Sequence, residues 1–196
     1  PIRRVQGPHS VELVHKMVHL IRNAMHYVVA RFHLERRHLI RADPAKAERL
    51  SNDAQGFSTW CRELDEEHAA TEPDYFTPEQ LAIYRQAPCR GEFYKYTQWH
   101  NRVYDITPLV GPKSGSGDKS SPPVLIIHYE DYHENLQKAA DQILEFLELP
   151  LVAPIRPFRD LPDYSDHFSD AEVESVKGWV QNVASAHTYE LVQRYF

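Results

Sequence analysis

The sequence predicts an α/β domain with a parallel sheet and a large helical insertion between its two recognisable strands. Three observations lead there. Met17-Val18-His19-Leu20-Ile21-Arg22 is a short apolar-rich run, and Val124-Leu125-Ile126-Ile127 is a continuous apolar run bounded by Pro123. Each run gives way to an amphipathic helical segment, the order expected of strand, turn and helix. Continuous apolar runs fit parallel strands buried on both faces. Such strands need neighbours to satisfy their backbone, so at least one more is expected before Pro1, and the chain reads as an N-terminally truncated portion of a larger sheet.

The elements follow in order. Met25, Val28, Val29 and Phe32 recur at the i, i+3, i+4, i+7 spacing of a helix from about Ala24 to about His38. Between residues 45 and 70, Ala47, Leu50, Ala54, Phe57, Trp60, Cys61 and Leu64 stand at helical intervals, and Pro73 closes the section. Thr77-Pro78-Glu79-Gln80 supplies an N-cap, a first-position proline and a capping-box glutamine for a helix through Tyr84, which Pro88 ends. A helix from about Gly91 to Ile106 carries Phe93, Tyr96, Trp99, His100, Val103 and Tyr104. Residues 110–123, rich in Gly, Ser, Lys and Pro, predict an exposed loop. Leu136, Ala139, Ala140, Ile143, Leu144 and Leu147 mark the clearest amphipathic helix, stopped by Pro150, and the capping box Ser169-Asp170-Ala171-Glu172 opens a terminal helix.

Composition bounds the function. With 196 residues, 42% of them hydrophobic and 26% charged, a single domain over 1–196 is expected. No apolar stretch is long enough to span a bilayer, and Arg3 and Arg4 precede no apolar signal region, so this segment is expected to make no membrane contact. Residues 1–50 hold ten Lys/Arg against four Asp/Glu, whereas the remainder holds twelve against twenty-four. The basic section suits a small anionic ligand; the acidic remainder argues against a nucleic-acid surface.

Arg22 is the first candidate for holding an anion. It stands where a strand ends and a helix begins, the place where open α/β sheets bind ligands and helix amides favour phosphate. The plainer reading of Arg31, Arg36, Arg37 and Arg41 is the solvated face of that helix. His15 and His19 share a face but lack a third ligand, so no metal is expected. Trp60, Trp99 and Trp179 fit core or pocket walls better than stacking platforms. Cys61 and Cys89 fit either one disulfide or two buried thiols.

Together, Leu20-Ile21-Arg22-Asn23 with its helix, and Val124 to Asp131 with Tyr129-Glu130-Asp131 and the helix to Pro150, resemble the sulfotransferases. The likeness is greatest to algal and WSC-domain-type members, whose helical middle carries a Tyr-x-x-Trp-His-Asn segment like Tyr96 to Asn101. The resemblance implies a P-loop NTPase-like three-layer fold and metal-free, in-line transfer of a sulfuryl group. The donor would be 3′-phosphoadenosine 5′-phosphosulfate and the acceptor a hydroxyl of a glycan or protein. Arg22 would pair with the 3′-phosphate, Asn23 would offer its backbone amide, and Tyr129 would lie against adenine. The family's serine, eight residues after the arginine, is Ala30 here, a loss of about 1.5–3 kcal/mol unless Arg31 or His33 replaces its hydrogen bond. Ala24 and His26 likewise stand where the family has proline and aspartate.

The same resemblance puts a lysine-containing phosphosulfate loop ahead of the arginine strand. Only Pro1 corresponds to it, so transfer by the chain as given is expected to be severely impaired. For the general base, His9 and His100 are the candidates. A Golgi or other secretory compartment, and with it the Cys61–Cys89 bond, follows from the resemblance alone. The alternative is a non-catalytic sulfotransferase-like protein that retains only the 3′-phosphate half-site.

Overall fold

A computed structural model describes residues 13–111, 121–157 and 164–196. Strand β1 (Met17–Ile21) pairs in parallel with β2 (Val124–His128), Met17 opposite Val124 and Ile21 opposite His128. Between the strands run α1 (Ala24–Ala42), α2 (Pro44–Arg49), α3 (Ala54–His68), α4 (Pro78–Tyr84) and α5 (Arg90–Ile106). After β2 come α6 (Asp131–Glu134), α7 (Leu136–Leu147), α8 (Asp170–Val183) and α9 (Ala186–Val192). The chain divides into two compact units. One unites both strands with the run from Arg102 through α7, and the other unites Arg22–Asn101 with α8 and α9.

In the strand unit, pairing extends beyond both ends of the ladder. The Met17 amide donates to the Pro123 carbonyl at 3.0 Å and the Tyr129 amide to the Ile21 carbonyl at 2.7 Å. Helices α6 and α7 pack against β2, and Asn135 caps α7 by accepting from the Lys138 amide. Lys16 clasps the end of α7, donating to the Phe146 carbonyl and to Glu148. The expected burial of both strand faces is not met. His19 and Ile21 are buried, but Val18 and Leu20 remain 40% and 46% exposed, because a side chain period of two sends them to the other face.

The helical unit has two aromatic centres. In the first, the α1 stripe Met25, Val28, Val29 and Phe32 is buried, and Phe32 lies 5.8 Å from Phe57 and 5.7 Å from Trp60. Phe168 closes it, 5.1 Å from Phe57 and 6.0 Å from Phe93. In the second, the fully buried Trp179 of α8 meets Tyr84 at 4.6 Å and Phe76 at 5.4 Å. Trp99, expected in a core or pocket wall, is instead 68% exposed. Phe93, Tyr96, Thr97 and His100 form the buried stripe of α5, and position 99 falls outside it.

The apolar periodicity of residues 45–70 resolves into two helices, separated by a break at Leu50–Asp53. Asp53 stops the run by capping α3, accepting from the Gly56 amide at 2.9 Å. A Cβ at Gly56 would stand 1.8 Å from the Ser51 carbonyl oxygen, so only glycine allows the break to fold this tightly onto α3. Helix α9, capped by Ser185, was not anticipated from the sequence, whose Val183-Ala184-Ser185 run carries no apolar stripe beyond α8. Of the 110–123 loop, residues 112–120 lie outside the described residues.

Cys61 and Cys89 are joined by a disulfide across 28 residues. A loop of that size is stabilised by about 3–4 kcal/mol in the chain-entropy account. Beside it Cys89 adopts φ 49°, a left-handed conformation that residues bearing a Cβ rarely take. The adjoining charges lock the same corner: Glu72, 3% exposed, accepts from Arg85 at 3.0 Å and from Arg90 at 2.7 Å, while Arg90 also pairs with Asp65 at 3.4 Å. Burial outweighs Arg90 and pushes the Asp65 carboxyl up to about 6. The folded chain therefore holds this proton more tightly than the unfolded one, and the Asp65 contribution to stability falls as pH rises from about 4 to 6. Asp65→Asn should remove that slope. In urea titrations across this range the variant should gain on the parent as pH rises and the difference should level off above pH 6; a pH-independent difference would refute the assignment.

Candidate functional site

The turn from β1 to α1 contains only Arg22 and Asn23. Asn23 caps α1 with its side chain, accepting from the Met25 amide at 2.9 Å and the His26 amide at 3.3 Å. The resemblance gave Asn23 a backbone role; here its carboxamide oxygen takes two of the four amides that a helix start exposes. The Arg22 carbonyl accepts from the Tyr96 hydroxyl at 2.7 Å. Arg22 itself is half-buried.

Tyr96 belongs to the Tyr-x-x-Trp-His-Asn segment, and the helical unit accounts for its members. Its ring lies 5.4 Å from Tyr27 and 4.5 Å from His100, which meets it edge-on. Asn101 ties α5 to the corner between α8 and α9, donating to the Val183 carbonyl at 3.0 Å and accepting from the Ser185 amide at 2.9 Å. Of the candidate bases, His100 is thus 4% exposed and packed on the tyrosine that holds Arg22, while His9 lies outside the described residues.

Ala30 stands on a half-exposed face of α1. Of the side chains proposed to compensate for it, Arg31 is drawn to Glu92 at 3.5 Å. The Nδ1 of His33 shares a hydrogen bond with the Asn52 side chain at 3.1 Å. Burial lowers the His33 imidazole below its ordinary range, against the Asn52 bond, with His167, Arg36 and Arg37 adding to the lowering. Tyr164, which sequence reasoning did not single out, lies 5.6 Å from His26 and 5.6 Å from His33. Its one sequence signal was its place just ahead of the Ser169 capping box.

Tyr129 belongs to the strand unit. It continues the β1–β2 pairing and its ring lies 6.3 Å from Tyr132. In the same unit, the buried His19 shares a hydrogen bond with the Tyr104 hydroxyl at 3.2 Å, and burial pushes that phenol up. The Arg22 and Tyr129 parts of the expected nucleotide site therefore belong one to each unit. A cavity of about 310 Å³ in the helical unit runs along α3 past Phe57, Arg62, Asp65 and Arg90, and contains none of the residues expected from the sequence to bind nucleotide or act as base. Its buried charges already serve the corner that holds the disulfide. Among the described residues no cluster of His, Cys, Asp or Glu has the makings of a metal site, and no helix is long and apolar enough to cross a membrane.

The sulfotransferase domain family has a model that matches residues 6–169. The chain belongs to this family. No curated protein and no solved structure matches it. Membership of the sulfotransferases carries sulfuryl transfer as the general chemistry, with a nucleotide sulfuryl donor and a hydroxyl acceptor.

Tyr96→Phe keeps the ring against Tyr27 and His100 and deletes the donor to the Arg22 carbonyl. It should cost about 1 kcal/mol in urea unfolding. An unchanged midpoint would mean that the hydroxyl does not hold this turn.

Proposed function

We propose that this chain binds 3′-phosphoadenosine 5′-phosphosulfate through Arg22 and belongs to an enzyme that transfers its sulfuryl group to a hydroxyl of a glycan or protein. The observation that carries the reading is the position of Arg22, fixed between β1 and the Asn23-capped α1 in a chain of the sulfotransferase family. In the transfer, the acceptor oxygen bonds to sulfur as the bond from sulfur to the 5′-phosphate oxygen breaks. The acceptor proton passes to a base, for which His100 and His9 are the candidates. Tyr129, at the end of β2, would lie against adenine.

The parallel β1–β2 pair with flanking helices supports a P-loop NTPase-like architecture. The Tyr96 to Asn101 segment supports kinship with the algal and WSC-domain-type members. The Cys61–Cys89 disulfide supports passage through an oxidising compartment such as the Golgi lumen. Ala30 favours a second reading, a non-catalytic protein that keeps the nucleotide half-site without transferring sulfate.

Calorimetry of the full chain with 3′-phosphoadenosine 5′-phosphate tests the part that both readings share. The unmutated chain should bind, and Arg22→Ala should weaken binding about ten- to a hundredfold at an unchanged unfolding midpoint. Absence of binding by the unmutated chain, or an Arg22→Ala affinity equal to it, would overturn the assignment.

A further inference from the structure

The face of α1 around Ala30 is built differently from a serine site. His26, Ala30 and His33 occupy positions i, i+4 and i+7 and so share one stripe. The Tyr164 ring stands 5.6 Å from each of the two imidazoles, so a single phenol spans the turns between which Ala30 sits. All four residues are half-exposed, which leaves the stripe within reach of a ligand. We propose that His26, His33 and the Tyr164 hydroxyl supply the donors that Ala30 lacks, forming a proton-linked clamp for the nucleotide's 3′-phosphate. The clamp rests on the nucleotide reading above.

The chemistry of the surrounding groups favours an anion. A methyl group at Ala30 donates nothing, whereas a phenol O–H and an imidazole N–H both donate. Helix α1 has no acidic residue in its first turn and carries Arg31, Arg36, Arg37 and Arg41 against the single acid Glu35. Arg36 donates to the Leu50 carbonyl at 2.7 Å, and Arg37 reaches the His33 carbonyl at 3.4 Å, so both cations stand on this helix one turn further on. Of the acids near the cluster, Asp166 meets a third imidazole and Asp53 is held by the Ser51 hydroxyl and the Gly56 amide. Asp166 lies 2.6 Å from Nδ1 of His167, whose ring is 5.4 Å from Tyr164 and 6.1 Å from His33.

Burial and the cations hold His33 below the ordinary imidazole range. A phosphate brought alongside acts in the opposite sense, because an adjacent anion favours the charged imidazole. Phosphate binding and proton uptake by these histidines are therefore coupled. A serine donor has no such coupling.

Side-chain 15N resonances of the labelled full chain, titrated between pH 5 and 8, read the clamp directly. Addition of 3′-phosphoadenosine 5′-phosphate should raise the titration midpoints of His26 and His33, whereas adenosine 5′-phosphate, which lacks the 3′-phosphate, should leave them in place. Tyr164→Phe retains the ring against both imidazoles and should weaken the bisphosphate about tenfold while leaving adenosine 5′-phosphate unaffected. Inorganic phosphate at the same concentration should move the midpoints less; an equal shift would overturn the assignment to the nucleotide. Midpoints that stay fixed while the bisphosphate binds in an Arg22-dependent way would overturn the clamp and spare the nucleotide reading. No binding of the bisphosphate would overturn both.

Discussion

The candidate site depends on a two-residue turn. Between the last residue of β1 and the first of α1 the backbone must change from extended to helical, leaving a carbonyl and several amides in need of partners. Asn23 meets this from within, its side chain taking the Met25 and His26 amides. Tyr96 meets it from outside, donating to the Arg22 carbonyl across 74 residues of chain. The backbone at Arg22 is thus held by a bond that does not involve its guanidinium, so a substitution there removes a charge without undoing the turn. The same arrangement takes two of the first amides of α1, those of Met25 and His26, away from any anion.

The scaffold behind the turn is secured at a distance from it. The Cys61–Cys89 bond and the Glu72 carboxylate between Arg85 and Arg90 fasten α3 to the start of α5. A buried carboxylate is costly unless its lone pairs are used, and two guanidinium partners use them. Removing either arginine would leave charge behind in a site with little water. This is also why the cavity beside α3 is poor evidence for chemistry: Asp65 in its lining owes its raised affinity for a proton to burial in a structural corner.

Most of the fold was legible in the sequence where a local rule acts alone. Both strands, the capping boxes at Thr77 and Ser169, and the stripe of α1 follow from periodicity and cap chemistry. The break at Leu50–Asp53 was hidden, because the apolar spacing runs on through it and only the contact of Gly56 with Ser51 requires it. Strand burial was overestimated because an apolar run reports what a strand could bury and not how many neighbours cover it. For the site, Arg22 and Asn23 were marked by their place between two elements. Tyr164 was not, since its meaning comes from two histidines more than a hundred residues earlier. A contact of that range has no spacing to read. The Tyr-x-x-Trp-His-Asn segment was visible as a motif, yet its division into a turn-holding tyrosine, a corner-holding asparagine and an exposed tryptophan needed coordinates.

The alanine at position 30 changes the character of the surface around it beyond the loss of one hydrogen bond. A serine hydroxyl contributes the same donor at every physiological pH, and its neighbours then need supply only charge. An alanine flanked by imidazoles leaves donation to groups whose charge varies between pH 5 and 8. At His33 burial is the first influence against protonation, and His167, Arg36 and Arg37 add to it. The coupling follows from electrostatics: an anion beside His33 offsets the Arg36 and Arg37 charges that, after burial, lower its imidazole. A surface built this way binds its anion most readily where protons are available, and its affinity follows the acidity of the compartment in a way that a serine-based site cannot reproduce.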